Sequence, residues 1–323
     1  MTYPCRTVSL IAFVALLSTG SAFTQAPSTE ETSKLATAPT TVAYVYVQTN
    51  KGVNVYDATT AGKLALVKGS PFATVGQMGS INGKYLISVG TAFLRSYVIE
   101  SNGAVGKQVS EINSQDYDGA ECGNNTDAGT ILDHTGKYLY VELDEDGGNC
   151  AAWQSYQIAS NGEFTFIGDV LGTSYGDGNA DPTNIPTFDS SDRYAYAPAW
   201  EESQPGFAPF VRSNSGDLMN NTVFRETDPT TDPNLDYFLA PIMARADSHE
   251  HLAVAMIPWL YGGNGSAPVN LKMASYTIDP ATGSIASTNT EDNIPFAAMG
   301  GAPSAMSISY GGNFVAIGSG LRP

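Results

Sequence analysis

Residues Leu132–Val170, LDHTGKYLYVELDEDGGNCAAWQSYQIASNGEFTFIGDV, decide the fold. Short runs with alternating apolar side chains are separated here by polar or glycine-containing turns, which is the pattern of antiparallel strands. The runs are Tyr138–Leu143, Trp153–Ile158 and Phe164–Val170, and they follow the turn His134–Lys137, the acidic loop Asp144–Cys150 and the turn Ser160–Gly162. With the strand that ends at Leu132, they predict a four-stranded meander, which is one blade of a β-propeller.

Two markers of this stretch recur along the chain. The first is a polar turn before a strand, at Asn82–Lys84, Thr135–Lys137, Ser191–Arg193, His249–His251 and Gly311–Asn313. The second is an aromatic residue followed by a turn glycine, at Tyr56/Gly62, Tyr97/Gly103, Tyr156/Gly162, Phe210/Gly216 and Tyr276/Gly283. An aromatic ring can pack between neighbouring sheets, and glycine supplies the positive φ of a hairpin turn. The repetition predicts an all-β propeller of four-stranded blades over residues 42–323.

The two ends of the repeat do not match. The first unit begins at its second strand, Val42–Val47, and the last unit, Ser304–Gly318, supplies only two strands. About five and a half blades are therefore expected. Either the strand Ser304–Tyr310 completes the first blade and closes a five-bladed ring, or the chain is an incomplete, C-terminally truncated part of a seven-bladed ring. We favour the second arrangement because an open ring leaves strand edges unpaired.

The N-terminal segment has the features of an export signal. Met1–Ala26 contains Arg6, the apolar run Val8–Leu17 and small residues before Ala26 where a signal peptidase could cut. The run is shorter than the ~20 residues of a membrane-spanning helix. Residues 27–41 are rich in Pro, Ser, Thr and Glu and predict a flexible linker. We therefore expect a periplasmic or secreted protein without a membrane span.

The charge of the chain limits its partners. Asp and Glu number 32 against 15 Lys and Arg, which gives a net charge of −17. Such a surface repels phosphate backbones and anionic membranes, so nucleic acid is not expected as a partner. Metal cations and cationic or neutral ligands, whether small molecules, carbohydrates or proteins, remain open. The acidity is equally explained as a solubility device of an exported protein.

Two stretches of the sequence resemble repeats of a known protein family. TGKYLYV at Thr135–Val141 and GVNVYDATTAGKL at Gly52–Leu64 resemble the repeats of lactonase-like seven-bladed β-propellers, which include 6-phosphogluconolactonases and surface proteins with YVTN-type repeats. The resemblance implies a seven-bladed ring and lactone hydrolysis as a candidate activity. The matching residues build the blade, and the Pro-Arg-His phrase associated with the phosphogluconolactonase pocket does not occur in this sequence. No catalytic residue is therefore transferred.

The meander also predicts a binding surface. Within each blade the loop between the second and third strands and the connection to the next blade emerge on one face, and the short hairpin turns emerge on the other. We call the first of these the long-loop face and expect it to bind the ligand, because loops on a rigid scaffold commonly carry function. Its segments are Asn113–Ala128, Asp144–Cys150, Gly172–Asn184, Pro198–Phe207, Asp228–Leu239, Pro258–Asn270 and Glu291–Pro303.

Cys122 and Cys150 both fall on the long-loop face, in segments of the same blade. Export supplies an oxidising compartment, so we expect a disulfide between them. A metal site built on two thiolates would need further Cys or His ligands, and the sequence offers none nearby.

One acidic loop has the oxygen ligands of a calcium site. Asp177, Asn179 and Asp181 alternate as in a calcium-binding loop. Pro182 replaces the turn glycine and Phe188 replaces the bidentate acid, so the loop is either an irregular divalent-cation site or a plain turn rich in Asp and Asn.

The histidines and tryptophans are the remaining candidates. His134 and His249 align with short turns and predict surface positions, and His249 and His251 are spaced to hold a cation from one side of a strand. Hydrolases commonly recruit histidine as a base. Trp153, Trp200 and Trp259 adjoin loops of the long-loop face, where an indole either stacks on a sugar or peptide or packs between blades.

Two functions follow from these patterns. The first, which we favour, is an exported propeller that binds a ligand or partner through its long-loop face without catalysis. The second is a lactone hydrolase in which acidic residues, with a bound divalent cation such as Ca²⁺, polarise a water molecule. The sequence contains no Gly-x-Ser-x-Gly elbow and no phosphate-binding glycine loop that would indicate another chemistry.

Overall fold

Alternation of side chains builds the strands of the structure, which is a computed structural model. In the strand Gly52–Thr59, for example, Val53 and Val55 are fully buried while their neighbours are partly exposed. The structure describes residues 12–14, 40–90, 93–113, 129–144, 151–171, 181–182, 186–201, 204–220, 225–226, 237–260, 270–295, 303–309 and 312–319. These ranges form β-strands and turns, and the contacts divide the chain into two compact units, residues 1–74 with 99–106 and residues 75–98 with 107–323.

The first unit contains the first sheet. Its strands, in spatial order, are β1 (Ala12–Val14), β2 (Thr41–Thr49), β3 (Gly52–Thr59) and β4 (Leu64–Leu66). β1 comes from the predicted export signal and pairs antiparallel with Val45–Val47 of β2. The sequence shows no inner strand for this blade. The open N–H and C=O groups along the edge of β2 explain why a short extended segment pairs there.

The second and third sheets are regular antiparallel meanders. The second consists of β5 (Gln77–Ile81), β6 (Tyr85–Gly90), β7 (Phe93–Ile99) and β8 (Val105–Asn113). The third consists of β9 (Gly129–Leu132), β10 (Tyr138–Asp144), β11 (Ala151–Ile158) and β12 (Phe164–Leu171). The strands that the sequence predicts in Leu132–Val170 are therefore confirmed.

The fourth sheet differs from the prediction at Pro198–Phe207. This segment is expected to be a loop, but it belongs to a long hairpin of β15 (Tyr194–Glu201) and β16 (Gln204–Arg212) in which Pro198 pairs with Phe207. Pro198 lies between the residues that pair with two short inner strands, Tyr196 on one side and Ala199 on the other, and proline favours such positions because it cannot donate to the ladder. The strands are β13 (Asp181–Pro182), β14 (Thr187–Phe188), β15 (Tyr194–Glu201), β16 (Gln204–Arg212), β17 (Leu218–Asn220) and β18 (Arg225–Glu226).

The fifth sheet is followed by a strand pair. The sheet consists of β19 (Tyr237–Ala246), β20 (His251–Leu260), β21 (Asn270–Ile278) and β22 (Ile285–Pro295), and the final strand pair consists of β23 (Pro303–Ile308) and β24 (Val315–Ser319). Together, the described residues contain the four-stranded antiparallel blades of a β-propeller, which confirms the predicted fold class. No helix long and apolar enough to cross a membrane occurs in the described part of the chain.

The core lies between successive sheets of the second unit. Tyr140 of the third sheet packs on Phe188 of the fourth with ring centroids 4.9 Å apart, and Trp153 packs on Phe210 at 5.0 Å. All four side chains are buried. Burial of such large apolar surfaces is the main force that holds neighbouring blades together.

The glycines and most of the aromatic residues of the second sequence marker have the structural role that was expected. All five marker glycines, Gly62, Gly103, Gly162, Gly216 and Gly283, have positive φ. Four of the five marker aromatics, Tyr97, Tyr156, Phe210 and Tyr276, are buried. In the first unit the turn at Gly103 lies against Tyr44 and Tyr46, and the Tyr46 hydroxyl donates to the Gly103 carbonyl at 2.9 Å.

Candidate functional site

Buried aspartates organise the turns between the first two strands of the third, fourth and fifth sheets. Oδ1 of Asp133 accepts hydrogen bonds from the backbone N–H groups of Lys137 and Tyr138, each at 2.9 Å. Asp189 does the same in the fourth sheet, at 2.8 and 2.9 Å. Their pattern in sequence is an aspartate five residues before the tyrosine that opens a strand. It could have been found by aligning the repeats, and it marks these acids as turn-capping groups rather than metal ligands.

His134 occupies a surface turn, as the repeat predicts. Its side chain is 52% exposed, and Nδ1 lies 2.6 Å from Oδ1 of Asp192, whose side chain is only 6% exposed. The hydrogen bond with Asp192 raises the pKa of His134, and partial burial opposes that effect. The pair joins two neighbouring sheets.

The rings of His249 and His251 have different hydrogen-bond partners. His249 is exposed in the turn, with Nδ1 3.2 Å from the Ser248 hydroxyl. His251 opens β20, and its Nδ1 lies 3.0 Å from Oδ2 of Asp247. The backbone N–H groups of both histidines donate to Oδ1 of Asp247, at 2.8 and 2.9 Å. Asp247 therefore draws the two residues together through their backbones, while their rings have different neighbours.

The Asp247 carboxylate is ionised and held in place by these bonds. Burial acts to raise its pKa, but the hydrogen bonds from the backbone and ring of His251 outweigh burial, so the pKa lies below its ordinary value. A carboxylate that accepts from Nδ1–H fixes the tautomer of a neutral imidazole and leaves Nε2 as an acceptor. Asp247 and His251 thus form a hydrogen-bonded dyad in which the carboxylate orients the imidazole.

The dyad borders a recess between the fifth sheet and the final strand pair, with a volume of about 410 Å³. One side carries the hydroxyls of Ser275 and Thr277, and Thr277 pairs directly opposite His251. The other side is formed by the final strand pair. The lining residues are Asp247, His251, Ala253, Ser275, Thr277, Ile308, Gly312 and Val315. This recess, which we call the His251 recess, lies next to short turns and hence at the edge opposite the long-loop face.

Arg245 is a second polar centre that the sequence did not reveal. It lies on β19, the innermost strand of the fifth sheet, and Nε donates to the carbonyl oxygen of Met306 on β23 at 3.0 Å. Nη1 donates to the Ala244 carbonyl at 2.6 Å. Burial lowers the pKa of Arg245, and no carboxylate of the described residues pairs with it. A partly buried cation that pairs with no carboxylate among the described residues is a candidate anion-binding group.

Most of the site residues predicted from sequence lie outside the described residues. This applies to Cys122, Cys150, Asp177 and Asn179, and to the side chains of Asp181, Trp200 and Trp259. The backbone of Asp181 is placed in β13, where it pairs with Trp200. Trp153 is fully buried against Phe210, so of its two predicted roles it has the packing role between blades. Within the described ranges, no three His, Cys, Asp or Glu side chains are grouped as metal ligands.

Comparisons with known proteins support the fold. The chain matches no protein-family model and no curated protein. It is similar in structure to a candidate 6-phosphogluconolactonase from Bacteroides uniformis, at 12% identity over 85% of this chain and 74% of that one, with a TM-score of 0.55. The periplasmic gluconolactonase PpgL of Pseudomonas aeruginosa aligns at 13% identity over 83% of this chain and 85% of that one, with a TM-score of 0.45. At 12% identity the likeness to the first of these structures concerns the fold alone, and it supports a β-propeller.

Proposed function

We propose that this chain is an exported β-propeller that binds a ligand or partner through its long-loop face without catalysing a reaction. Export is supported by the sequence of Met1–Ala26, with its basic start, short apolar run and small residues. The net charge of −17 favours a neutral or cationic ligand, such as a carbohydrate or a basic protein segment.

The observation that carries this proposal is the register of the strands beside the long segments. In the third sheet Asp144 pairs with Ala151, and Leu171 pairs with Ala152, so the segments 145–150 and 172–180 leave the same edge. In the fifth sheet Tyr237 pairs with Leu260, which brings the segments 227–236 and 261–269 to the corresponding edge. Several insertions on one side of a rigid scaffold provide a continuous surface for recognition.

A carbohydrate array tests the binding face. The full chain is expected to bind a defined subset of glycans, and replacing 261–269 with an Asn-Gly turn should weaken that binding without changing the far-ultraviolet circular dichroism. The matched control is Lys137→Ala, an exposed residue in a short turn at the opposite edge, and it should leave binding intact. If the chain still binds glycans after the segments 145–150, 172–180, 227–236 and 261–269 are all shortened, the long-loop face is not the binding surface. N-terminal sequencing of exported protein tests the signal, with a new terminus expected close to Ala26.

Lactone hydrolysis is the second candidate, and Arg245 is the observation that favours it. Hydrolysis adds a water oxygen to the lactone carbonyl carbon and produces an oxyanion, after which the ring C–O bond breaks and the alkoxide takes a proton. A partly buried guanidinium without a carboxylate partner among the described residues is suited to stabilise that oxyanion. The structural neighbour described as a candidate 6-phosphogluconolactonase gives this chemistry a precedent on the fold.

A pH-stat screen separates the two candidates. Sugar lactones and acyl lactones are incubated with the full chain, with calcium or with a chelator. Turnover would support the hydrolase, and its loss in chelator would assign a role to a divalent cation. Arg245→Met should then reduce kcat by about 100-fold or more, as removal of an oxyanion-stabilising donor does. Arg193→Met, at an exposed turn, is the matched control and should leave turnover unchanged.

A further inference from the structure

One hairpin turn of the fourth sheet buries part of an acidic side chain that its counterparts expose. In the third, fourth and fifth sheets, the carbonyl of the marker glycine accepts a hydrogen bond from a hydroxyl of the preceding sheet, at 2.7–2.9 Å. The residue after that glycine is Glu163, Asp217 or Ser284. Glu163 and Ser284 are exposed, whereas one carboxyl oxygen of Asp217 is buried. The fourth sheet therefore turns this side chain towards its neighbour.

The Asp217 carboxyl lies against the third sheet. A Cβ built on Gly168 of β12 would lie 2.8 Å from Oδ1 and 3.0 Å from Oδ2, so the carboxyl occupies the space that a side chain there would need. Gly168 pairs with Ser155 of β11, whose fully buried hydroxyl accepts the Leu218 N–H at 3.2 Å. Oδ1 of Asp217 has no hydrogen-bond partner. A buried carboxyl oxygen of this kind is costly when the group is ionised and much less costly when it is protonated.

The cation of the same hairpin is engaged elsewhere. Arg212 donates through Nε to the Asp192 carbonyl at 2.6 Å, and its Nη1 lies 3.5 Å from Oδ2 of Asp133. Burial raises the pKa of Asp217, and nearby hydrogen-bond donors lower it only in part. Folding therefore disfavours the ionised form of this carboxyl.

The other titratable groups that face this turn, or lie beside it, are phenols and acids. Tyr138 and Tyr140 of β10 contact the marker glycine of the turn, the first through its ring and the second through its hydroxyl. Glu142 is buried on the same face of β10, one alternation further along the strand. Asp169 follows Gly168 on β12 and alternates to the opposite face. None of these groups supplies a positive charge to the carboxyl.

We propose that Asp217 is a proton-operated latch between the third and fourth sheets, which holds its hairpin against Gly168 when the carboxyl is protonated and releases the hairpin when the carboxyl is ionised. Protonation removes the charge from the buried oxygen, so the outer strands β12 and β17 stay in contact. Ionisation favours hydration of the carboxylate, so these strands separate locally. β12 ends at Leu171, and the latch therefore also determines how firmly the start of the segment 172–180 is held.

The direction of the pH dependence follows from the raised pKa of Asp217. The neutral form is favoured in the folded chain, so the stability of the contact is complete below the unfolded-state pKa. That stability is lost as the pH rises through the folded-state pKa. The latch is closed in acid and opens towards neutral pH.

Hydrogen exchange of the hairpin tests the latch. Deuterium uptake by peptides that cover residues 213–218 is followed by mass spectrometry at about pH 4 and about pH 8, in the full chain and in Asp217→Asn. At the higher pH the variant hairpin should exchange about 3- to 10-fold more slowly than the parent hairpin, because asparagine keeps the shape of the neutral acid without ionising. At the lower pH the two should agree. Equal or faster exchange of the variant at the higher pH, or the same difference at both, would overturn the proposal.

The third sheet provides the matched control. Glu163→Gln makes the same chemical change at the equivalent exposed position, and exchange of its own hairpin should stay unchanged at both pH values.

A second measurement uses the parent chain. The full chain, labelled with ¹³C at the aspartate carboxyl carbons, is titrated and followed by nuclear magnetic resonance. Asp217 should titrate at higher pH than the exposed Asp279, whose pKa is lowered by the backbone N–H of Ala281. A midpoint for Asp217 at or below the ordinary aspartate value of about 3.9 would overturn the proposal.

Discussion

Nδ1 of His134 lies 2.6 Å from Oδ1 of Asp192, so a turn of the third sheet is tied to the equivalent turn of the fourth. The backbone N–H of His134 also donates to both oxygens of the carboxylate, at 2.9 and 3.1 Å. Asp192 has a φ of 58°, at a turn position where the third sheet and the final strand pair have Gly136 and Gly312. Asp192 therefore adopts a backbone conformation that favours glycine, and its side chain links the two sheets.

The first prediction concerns the pH dependence of this link. The hydrogen bond with Asp192 raises the pKa of His134 above its ordinary value of 6.5. A raised folded-state pKa means that the stabilisation is complete below the unfolded pKa and is lost as the pH rises through the folded pKa. His134→Gln should therefore cost about 0.2–1 kcal/mol of unfolding free energy at pH values below about 6 and less above about pH 9. Urea unfolding at both pH values measures the difference.

Two variants serve as controls for that experiment. His249→Gln changes an exposed turn histidine whose ring contacts Ser248 rather than a carboxylate, and it controls for the loss of a surface imidazole as such. Asp192→Asn keeps a residue that tolerates positive φ but removes the charge, so it should abolish the pH-dependent part of the His134 effect. A His134→Gln cost that grows with pH would contradict the assignment.

Close approach of a turn to a tyrosine ring gives the second prediction. Gly216 has a φ of 97°, and a Cβ there would lie 2.1 Å from Tyr138. Gly216→Ala should therefore combine backbone strain with a clash and cost about 2–5 kcal/mol. Gly83 has a φ of 84° and no atom within 4 Å of a built Cβ, so Gly83→Ala should cost only about 1–2 kcal/mol. Equal losses in chemical denaturation would show that the ring contact contributes nothing.

The repeat could be predicted from sequence because each blade needs the same local chemistry. Gly162 and Gly216 must have positive φ whatever surrounds them, and Tyr156 and Phe210 must be buried for the sheets to pack. The prediction was wrong where local preference and tertiary context disagree. Pro198 argues for a loop, but it pairs with Phe207 in a long hairpin and lies between the residues that pair with two short inner strands.

The polar centres were harder to predict because their partners are distant in sequence. Arg245 bonds to the carbonyl of Met306, 61 residues away, and nothing in its local sequence indicates burial. The Asp247–His251 dyad is local, with partners four positions apart in the sequence, and its signal is the departure from the tyrosine found in the other sheets. Comparing repeats for their exceptions, rather than for their shared residues, would have identified His251.

The third prediction concerns Tyr46 and alkaline pH. Burial raises the pKa of Tyr46 to about 12, and the neighbouring Tyr44 contributes in the same direction. The neutral phenol is therefore favoured in the folded state, so its stabilisation is complete below pH 10 and is lost as the pH rises towards about 12. Tyr46→Phe should reduce the loss of stability between neutral and alkaline pH, measured by urea unfolding. At neutral pH it should cost about 1 kcal/mol because the Gly103 carbonyl loses its donor.

Tyr44→Phe provides the comparison for that measurement. The Tyr44 hydroxyl makes a longer, exposed hydrogen bond of 3.3 Å to the Ser101 carbonyl, so its removal should change neutral stability by less. A steeper alkaline loss in Tyr46→Phe than in the parent chain would show that another group controls the transition.

The last prediction concerns Cys122 and Cys150, which lie outside the described residues and which the repeat places on one face. Export would remove Cys5 with the leader and oxidise the remaining pair. Mass spectrometry of exported protein after alkylation should find no modified cysteine without reductant and two with it. Because the bond would close a loop of roughly 30 residues, Cys122→Ser and Cys150→Ser should each cost about 3 kcal/mol, and the double variant should cost no more than either single one. Additive losses, or two alkylated thiols in unreduced protein, would show that the cysteines act separately.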